Sequence, residues 1–206
     1  MNGFGKRLLR IVRQGRNFVH GFYPQESTGV DAAHLTIEFF RYGTEYYIAG
    51  RYGVFASLMP VAANLHHHAI EMLLKGIIAE KTTPEELKRK LRHNLRGIWK
   101  RVKRETNDPT LSRFDEVVKE LGKFEDIRYP DELLTKGASM FFDVTRAGAS
   151  TNFASGISEP KYTLCLEDVD ELVHAIFKIA GRDVRQYVGI RRAEKEQYLQ
   201  QDNRYI

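Results

Sequence analysis

Residues 60–80 read PVAANLHHHAIEMLLKGIIAE and decide the fold. Apolar side chains recur in this stretch every three or four residues, which is the period of one face of an α-helix. They are Val61, Leu65, Ala69, Met72, Leu73, Ile77 and Ile78. Pro60 suits the first turn of a helix, where its missing N–H is not needed. The stretch predicts an amphipathic helix with Glu71 and Lys75 paired four residues apart on its surface.

The segment before it, residues 31–52, predicts a second helix of similar length. Asp31 is a residue type that favours the N-cap of a helix. Aromatic and aliphatic residues then recur at helical spacing, at Leu35, Phe39, Tyr42, Tyr46 and Ala49. The sequence Ser57-Leu58-Met59-Pro60 ends one helix and begins the next. Together the two segments predict a helix hairpin at the centre of the protein.

The segment after it begins with Thr83-Pro84-Glu85-Glu86, which has the features of a helix start. An apolar stripe follows at Leu87, Leu91, Leu95, Ile98 and Val102. The stripe predicts one continuous helix. Asn94 is also a good N-cap type, and a cap there would split the region into two helices. A shorter helix over 111–121 is expected to end at Gly122.

From residue 124 to 161 the helical period disappears, and glycine, serine and proline accumulate. We expect a long irregular excursion, chiefly over 131–161, with two short strands near 140–144 and 162–166 that would pair as a β-hairpin. Helical period returns over 167–188. The predicted fold class is all-α, with the excursion before the last helix.

Charge and polarity divide the chain into three predicted parts. Residues 1–27 form a basic N-terminal arm, because five Lys and Arg residues precede the first acid at Glu26. Residues 28–190 form the helical bundle. Residues 191–206 are almost wholly polar and predict a tail or a frayed helix.

The composition, with 42% hydrophobic and 29% charged residues among 206, is that of an ordinary globular protein. Cys165 is the single cysteine, so the sequence offers neither an internal disulfide nor a cysteine-based zinc cage. We therefore expect a cytoplasmic protein. The N-terminus lacks the apolar core of a secretory signal, and no stretch reaches the length of about 18 apolar residues typical of a membrane span, so no membrane insertion is expected.

Residues 88–104 contain nine Lys and Arg residues and no Asp or Glu. On one helix, most of these charges would fall outside the apolar stripe and form a basic face. Such a face binds phosphate backbones, although it can also be an ordinary solvated surface. A helix break at Asn94 would weaken the case for binding. The predicted contacts with RNA or another polyanion are Lys88, Arg89, Arg92, Arg96, Lys100, Lys103 and Arg104.

The histidine run His66-His67-His68 resembles a metal site at first sight. Consecutive helical residues point about 100° apart, so three in a row cannot bind one ion. Only His67 with Glu71, and His34 with Glu38, have helical ligand spacing. The sequence therefore predicts no metal and no cofactor. It also lacks a glycine-rich phosphate loop and a Gly-x-Ser-x-Gly motif, which argues against nucleotide-dependent and serine-hydrolase chemistry.

Three segments together resemble the HEPN domains, helical bundles of prokaryotic toxin–antitoxin and defence systems. They are Ala69-Ile70-Glu71-Met72-Leu73-Leu74-Lys75, His93-Asn94-Leu95 and Ile127-Arg128-Tyr129-Pro130, and the resemblance covers roughly residues 31–190. It implies a bundle of four or five helices, a homodimer, and an antitoxin-like protein partner. Many members of the family are metal-independent ribonucleases.

The family's ribonuclease signature is an Arg, a polar residue and then a His, with four to six residues between Arg and His. Arg182-Asp183 resembles its start, but Tyr187 stands where the His is expected. A tyrosine with an ordinary pKa near ~10 is a poor general base at neutral pH. The resemblance therefore implies binding more than catalysis. Arg92, His93, Arg182 and Asp183 are the candidates for an atypical catalytic site.

Three functions follow as hypotheses. The first is a non-catalytic module that binds RNA or a partner protein through the basic face. The second is a ribonuclease, acting as a toxin or defence effector, with an atypical site. The third is an oligomeric helical scaffold with no nucleic-acid role, which would use the aromatic stripe of Phe39, Phe40, Tyr46 and Tyr47 for its interfaces.

Overall fold

A computed structural model describes residues 31–126, 128–129, 131, 134–135, 140–146, 161–189 and 192–206. The predicted basic arm, residues 1–27, lies outside these described residues, as does most of the excursion over 131–161. Asp31–Ile206 forms one compact unit. Seven α-helical segments and two short strands lie within the described part of this unit, which confirms a mostly helical fold with more helices than the four or five expected.

The predicted helix hairpin consists of α1, Ala32–Phe55, and α2, Met59–Ile78. The Asp31 side chain caps α1 by accepting a hydrogen bond from the Ala33 N–H, at 3.3 Å. The two helices approach closely because glycines of α1 face side chains of α2. A Cβ added at Gly43 would lie 2.7 Å from Leu73 Cγ, so only glycine allows this approach.

The region that follows α2 is broken into pieces. α3, Pro84–Glu86, runs into a π-helical turn over Leu87–Leu91, and Arg92 then adopts a positive φ of 41°. A new helix, α4, spans Leu95–Thr106 and is capped by Asn94, which accepts from the Gly97 N–H at 3.0 Å. The expectation of one continuous helix is wrong, and the alternative of a break at Asn94 is confirmed.

A 3-10 turn leads to α5, Asp115–Lys123, and the two strands follow. β1, Met140–Asp143, and β2, Tyr162–Cys165, pair in parallel. The predicted β-hairpin is therefore wrong. A hairpin turn joins only antiparallel strands, and parallel strands need a long connection; residues 144–161 separate these two strands in the sequence.

Helix α6, Leu166–Ile179, ends about nine residues earlier than the sequence period suggests. Gly181 has a φ of +62°, and its N–H donates to the Lys178 carbonyl while the Arg182 N–H donates to the Phe177 carbonyl. This pair of bonds is a Schellman motif, which stops a helix at a left-handed residue. A 3-10 turn over Val184–Tyr187 carries the remaining apolar residues.

The predicted polar tail contains helix α7, Arg192–Gln200, and packs on the bundle. Leu199 is fully buried in the main core. The buried guanidinium of Arg51 on α1 donates from Nε to the Tyr198 carbonyl at 2.7 Å and from Nη2 to the Gln201 carbonyl. Docking through backbone carbonyls does not require apolar residues at helical spacing in this segment, which explains why the sequence indicated only a tail or a frayed helix.

The core is centred on α2 and is filled by apolar residues of every long helix. Its fully buried members include Phe40, Ile70, Leu73, Leu74, Ile98, Val102, Leu172, Val173 and Ile176. No helix among the described residues is both long and apolar enough to cross a membrane.

Candidate functional site: a carboxylate among histidines beside a basic surface

Four side chains converge on Glu71, which is fully buried on α2. Lys75 Nζ donates to Glu71 Oε1 at 2.6 Å, and His93 Nδ1 lies 3.0 Å from Glu71 Oε2. His67 Nε2 and His68 Nδ1 lie 3.7 Å and 3.8 Å from the same Oε2 atom. We call Glu71, Lys75, His67, His68 and His93 the Glu71 cluster.

Helical geometry explains how two consecutive histidines reach one carboxylate. At about 100° per residue, position 71 lies about 40° around the helix from His67 and about 60° from His68, on opposite sides. Glu71 therefore stands between them. Three consecutive histidines of a helix point too far apart to share one ion, but His67 and His68 share a neighbour in Glu71.

His93 reaches the cluster because the chain reverses at the preceding residue. The positive φ of Arg92 ends the π-helical turn and directs His93 back toward α2. Lys75 Nζ also donates to the Arg92 carbonyl at 2.7 Å, which holds this bend against the cluster. The side chain of His93 remains 49% exposed, so the cluster has one face toward solvent.

Glu71 carries a negative charge despite its burial. Burial raises the pKa of the carboxyl, but the neighbouring His67 and His68 and the hydrogen-bonded ammonium of Lys75 outweigh this and hold the pKa well below its usual value. Glu71 and Lys75 were predicted to pair on the helix surface. They do pair, but inside the protein, since Glu71 is 0% and Lys75 only 7% exposed.

His67 has an unusual set of neighbours. Its Nδ1 lies 2.9 Å from the Leu121 carbonyl oxygen, which can only accept, so Nδ1 carries the proton. Its Nε2 faces Glu71 Oε2 and, at 3.4 Å, Glu125 Oε2. Among the described residues, neither Nε2 of His67 nor Oε2 of Glu125 has a hydrogen-bond partner, although both atoms are buried.

Arg128 closes the outer side of the cluster. Its Nη1 donates to Glu125 Oε1 and its Nη2 to His68 Nε2, both at 3.2 Å. The ring of Tyr46, on α1, lies 5.7 Å from that of His68. Arg128 belongs to the Ile127-Arg128-Tyr129-Pro130 segment of the resemblance, and its partner His68 in turn lies 3.8 Å from Glu71 and has its ring centroid 6.1 Å from that of His93.

His66, the first residue of the histidine run, faces away from the cluster. It packs against Gly50 of α1, where an added Cβ would meet its ring at 2.8 Å. Burial, with a contribution from the charge of Arg51, lowers the pKa of His66 to about 3. This histidine is therefore a neutral core residue.

The basic segment 88–104 is divided between paired and unpaired cations. Arg101 is bound by Glu86 at 2.9 Å and Glu105 at 2.7 Å, and Lys103 is bound by Asp115 at 2.6 Å. Lys103 is thus the one predicted contact that another helix neutralises. The other six predicted contacts are exposed and form no ion pair with any described residue. They are Lys88, Arg89, Arg92, Arg96, Lys100 and Arg104.

Three of these unpaired cations form a row on α4. Arg96, Lys100 and Arg104 are four residues apart, so their Cα atoms follow the helix axis at intervals of about 6 Å. Ile98 and Val102 face the core from the opposite side of the helix. We call the six unpaired cations the basic surface. The helix break divides it, because Lys88 and Arg89 precede Asn94 and the row on α4 follows it.

The predicted catalytic residues fall into two groups. His93 binds Glu71, and Arg92 precedes it in the bend. Arg182 donates to the Tyr187 hydroxyl and stacks over the Phe40 ring at 5.1 Å, while Asp183 caps the 3-10 turn by accepting from the Arg185 N–H. Within the described part of the chain, no contact joins the two groups.

Sequence reasoning missed Glu71, Lys75, His67, His68 and Glu125 as members of one site. The available signal was the coincidence of His-x-x-x-Glu and His-x-x-Glu spacing on a single residue, Glu71. Comparison of the chain with protein-family models, with curated proteins and with solved structures finds no significant match.

Proposed function

We propose that this protein is an RNA-binding module that holds the phosphate backbone on the basic surface. One observation carries the proposal: six exposed cations between residues 88 and 104 lack a carboxylate partner in the described part of the chain. Neighbouring Arg101 and Lys103 are neutralised by acids from the same and other segments. The acids of this region therefore do not neutralise the six cations of the basic surface.

Phosphate binding is the chemistry that suits such a group. A cation on a long, solvated side chain gains by neutralising a phosphate, because counterions are released from the nucleic acid. The regular row Arg96, Lys100 and Arg104 offers successive contacts along a backbone. Exposed His93 adjoins the row at its N-terminal end. An acidic partner protein would be attracted by the same charges, so binding to an acidic polypeptide is the competing outcome.

The proposal predicts a steep salt dependence of RNA binding. The logarithm of the binding constant should fall with the logarithm of salt concentration by about 0.7–0.9 per phosphate neutralised, so six cations limit the slope to about −5. Fluorescence anisotropy with a structured RNA at several salt concentrations measures this slope. A slope near zero, or binding to an acidic polypeptide but not to RNA, would contradict the proposal.

A second candidate function, ribonuclease activity, is favoured by the bond between His93 and Glu71. A buried carboxylate that holds one ring nitrogen of a half-exposed histidine leaves the other nitrogen available as a general acid or base. Arg92 precedes His93 and is exposed, where it can stabilise charge on a phosphate. The absence of Arg182 from this group means that the site would differ from the family signature.

Ribonuclease activity at this site predicts that the variant His93→Ala loses cleavage of a labelled RNA in the presence of EDTA. His174→Ala is the matched control, because His174 is an exposed histidine on another helix. Cleavage that persists unchanged in His93→Ala would eliminate His93 as the catalytic residue while leaving the binding proposal intact.

We further propose that the bundle is HEPN-like, forms a homodimer, acts in the cytoplasm and has an antitoxin-like partner. The support is the order of the three resembling segments and the meeting of Glu71, His93 and Arg128 around one cluster. The alternative of an oligomeric scaffold loses part of its motivation, because Phe40 and Tyr47 are fully buried within the chain. Light scattering distinguishes a dimer from a monomer.

A further inference from the structure

We propose that His67, His68 and Glu71 form a binding site for a divalent transition-metal ion of the zinc class. This goes beyond the RNA-binding proposal and does not depend on it. The three residues offer one imidazole nitrogen each from the histidines and one carboxylate oxygen. These three atoms all lie within 4.8 Å of one another, at the buried end of the Glu71 cluster.

The environment of His67 points to a cation. Nδ1 of His67 is engaged by the Leu121 carbonyl oxygen, so Nε2 is the ring nitrogen that faces the carboxylate oxygens of Glu71 and Glu125. One imidazole nitrogen and two carboxylate oxygens thus face one another in a place that water cannot reach freely, since His67 is 0% exposed. A bound metal ion gives His67 Nε2 and Glu125 Oε2 the partner that both buried atoms lack among the described residues, while Glu71 Oε2 already has His93 as a neighbour.

The distances suit small-ion coordination. Zinc binds histidine nitrogen and carboxylate oxygen at about 2.0–2.2 Å, which places neighbouring ligand atoms of a tetrahedral site about 3.3 Å apart. Glu71 Oε2 lies 3.7 Å from His67 Nε2 and 3.8 Å from His68 Nδ1. Movements of a few tenths of an ångström bring these atoms to the spacing of a tetrahedral site. Glu125 Oε2, 3.4 Å from His67 Nε2, is positioned as a further ligand.

The surrounding groups resemble the supporting shell of a metal site. Metal-bound histidines usually donate their second ring N–H to a carbonyl or carboxylate, and bound carboxylates are themselves hydrogen-bonded. His67 donates to the Leu121 carbonyl, and Glu71 accepts from Lys75 through Oε1. These bonds fix the two ligands whether or not an ion is bound.

Charge and ligand type select the class of ion. Lys75 and Arg128 each offset one of the two carboxylates, so the site has little excess negative charge. Calcium and magnesium need several oxygen ligands, which this site does not offer. Imidazole nitrogens favour zinc, copper and nickel instead.

Binding requires one rearrangement at His68. Arg128 donates to its Nε2, so the proton of the neutral ring is on Nδ1 when that contact is present. Coordination through Nδ1 moves the proton to Nε2 and breaks the contact with Arg128.

The test uses the full chain without a histidine tag and without RNA. Titration calorimetry and metal analysis after dialysis against Zn²⁺ should give one ion per chain, and Mg²⁺ should not compete. His68→Ala and Glu71→Gln should each lower the affinity at least about tenfold. His174→Ala, which changes an exposed histidine outside the cluster, should bind as the unaltered chain does.

Cobalt substitution provides a second measurement that does not rely on variants. Co²⁺ bound by imidazole and carboxylate in a four-coordinate site gives visible absorption bands that hexa-aqua Co²⁺ lacks at comparable strength. Absence of one-to-one zinc binding, or equal affinity in folded His68→Ala and in the unaltered chain, would overturn the proposal. Because no RNA is present, neither result bears on the basic surface.

Discussion

Replacing Arg51 by methionine is expected to lower the free energy of unfolding by about 3–5 kcal/mol, because it removes one partner of a buried ion pair. Arg51 is 0% exposed and binds Asp170 through Nη1, while Nε and Nη2 bind the Tyr198 and Gln201 carbonyls. The substitution leaves the carboxylate and two carbonyl oxygens without their donor.

Without Arg51, the Asp170 carboxylate keeps one side-chain hydrogen-bond donor among its described contacts, the Tyr47 hydroxyl. Burial raises the pKa of its carboxyl, and Arg51 and Tyr47 oppose this by donating hydrogen bonds. The Tyr47 hydroxyl lies 2.6 Å from Asp170 Oδ1 and 2.9 Å from Asn203 Nδ2. The network therefore joins α1, α6 and the C-terminal segment, and losing Arg51 should also speed amide exchange in residues 192–206.

Chemical denaturation measures the loss, and Arg41→Ala on the same helix is the matched control. Arg41 pairs with Glu38 and Glu45 at the surface, where such pairs contribute at most about 1 kcal/mol. A double variant, Arg51→Met with Asp170→Leu, should regain part of the stability, since it removes the unpaired carboxylate. If Arg51→Met lowers the free energy of unfolding no more than Arg41→Ala does, the buried network around Arg51 does not stabilise the fold.

Reversing two charges of the row, by Arg96→Glu and Lys100→Glu together, is expected to weaken RNA binding about 25-fold or more at physiological salt. Each phosphate contact contributes about fivefold through counterion release under these conditions, and repulsion adds to the loss. Neither side chain forms an ion pair with a described residue, so the fold should keep its stability.

The control for this variant is Lys178→Glu with Arg185→Glu, which changes the net charge equally. Both residues are exposed and lie at the end of α6 and in the turn after it. Fluorescence-anisotropy titrations of both variants with RNA distinguish phosphate contacts made by the row from general attraction to the net positive charge. Equal losses of affinity in the two variants would mean that net charge alone, rather than the row, drives binding.

Local signals in the sequence account for the helices that were predicted well. The spacing of apolar residues and the helix-end signals place α1 and α2 within a few residues of their observed bounds. The residue type of Asn94 is enough to predict that it caps a helix. These features depend on neighbours within one or two turns, so the sequence contains the needed information.

The failures concern interactions between distant parts of the chain. The parallel pairing of β1 and β2 depends on a crossover, whereas the sequence only shows two apolar runs. The docking of α7 depends on Arg51, about 150 residues away, which binds carbonyls that every segment possesses. Helix α6 ends early because Gly181 adopts a positive φ and stops it, although apolar residues continue at helical spacing beyond Gly181.

The Glu71 cluster was partly visible in the sequence. Spacing placed His67, Glu71 and Lys75 on one side of α2, but an exposed ion pair and a buried one have the same spacing. The approach of His93 required the bend at Arg92, a non-glycine residue with positive φ, which no residue preference predicts. The sequence predicted the basic surface more completely. A Lys or Arg side chain stays unpaired where no acid lies nearby, and the sequence shows directly that residues 88–104 contain no acid.

Mapping the RNA contacts by photo-crosslinking and mass spectrometry tests the central claim most directly. The basic surface predicts that the crosslinked peptides lie within residues 88–104, chiefly around Arg92, Arg96 and Lys100, and that they disappear in Arg96→Glu/Lys100→Glu. Crosslinks concentrated in other peptides of Asp31–Ile206, or unaffected by that variant, would contradict it.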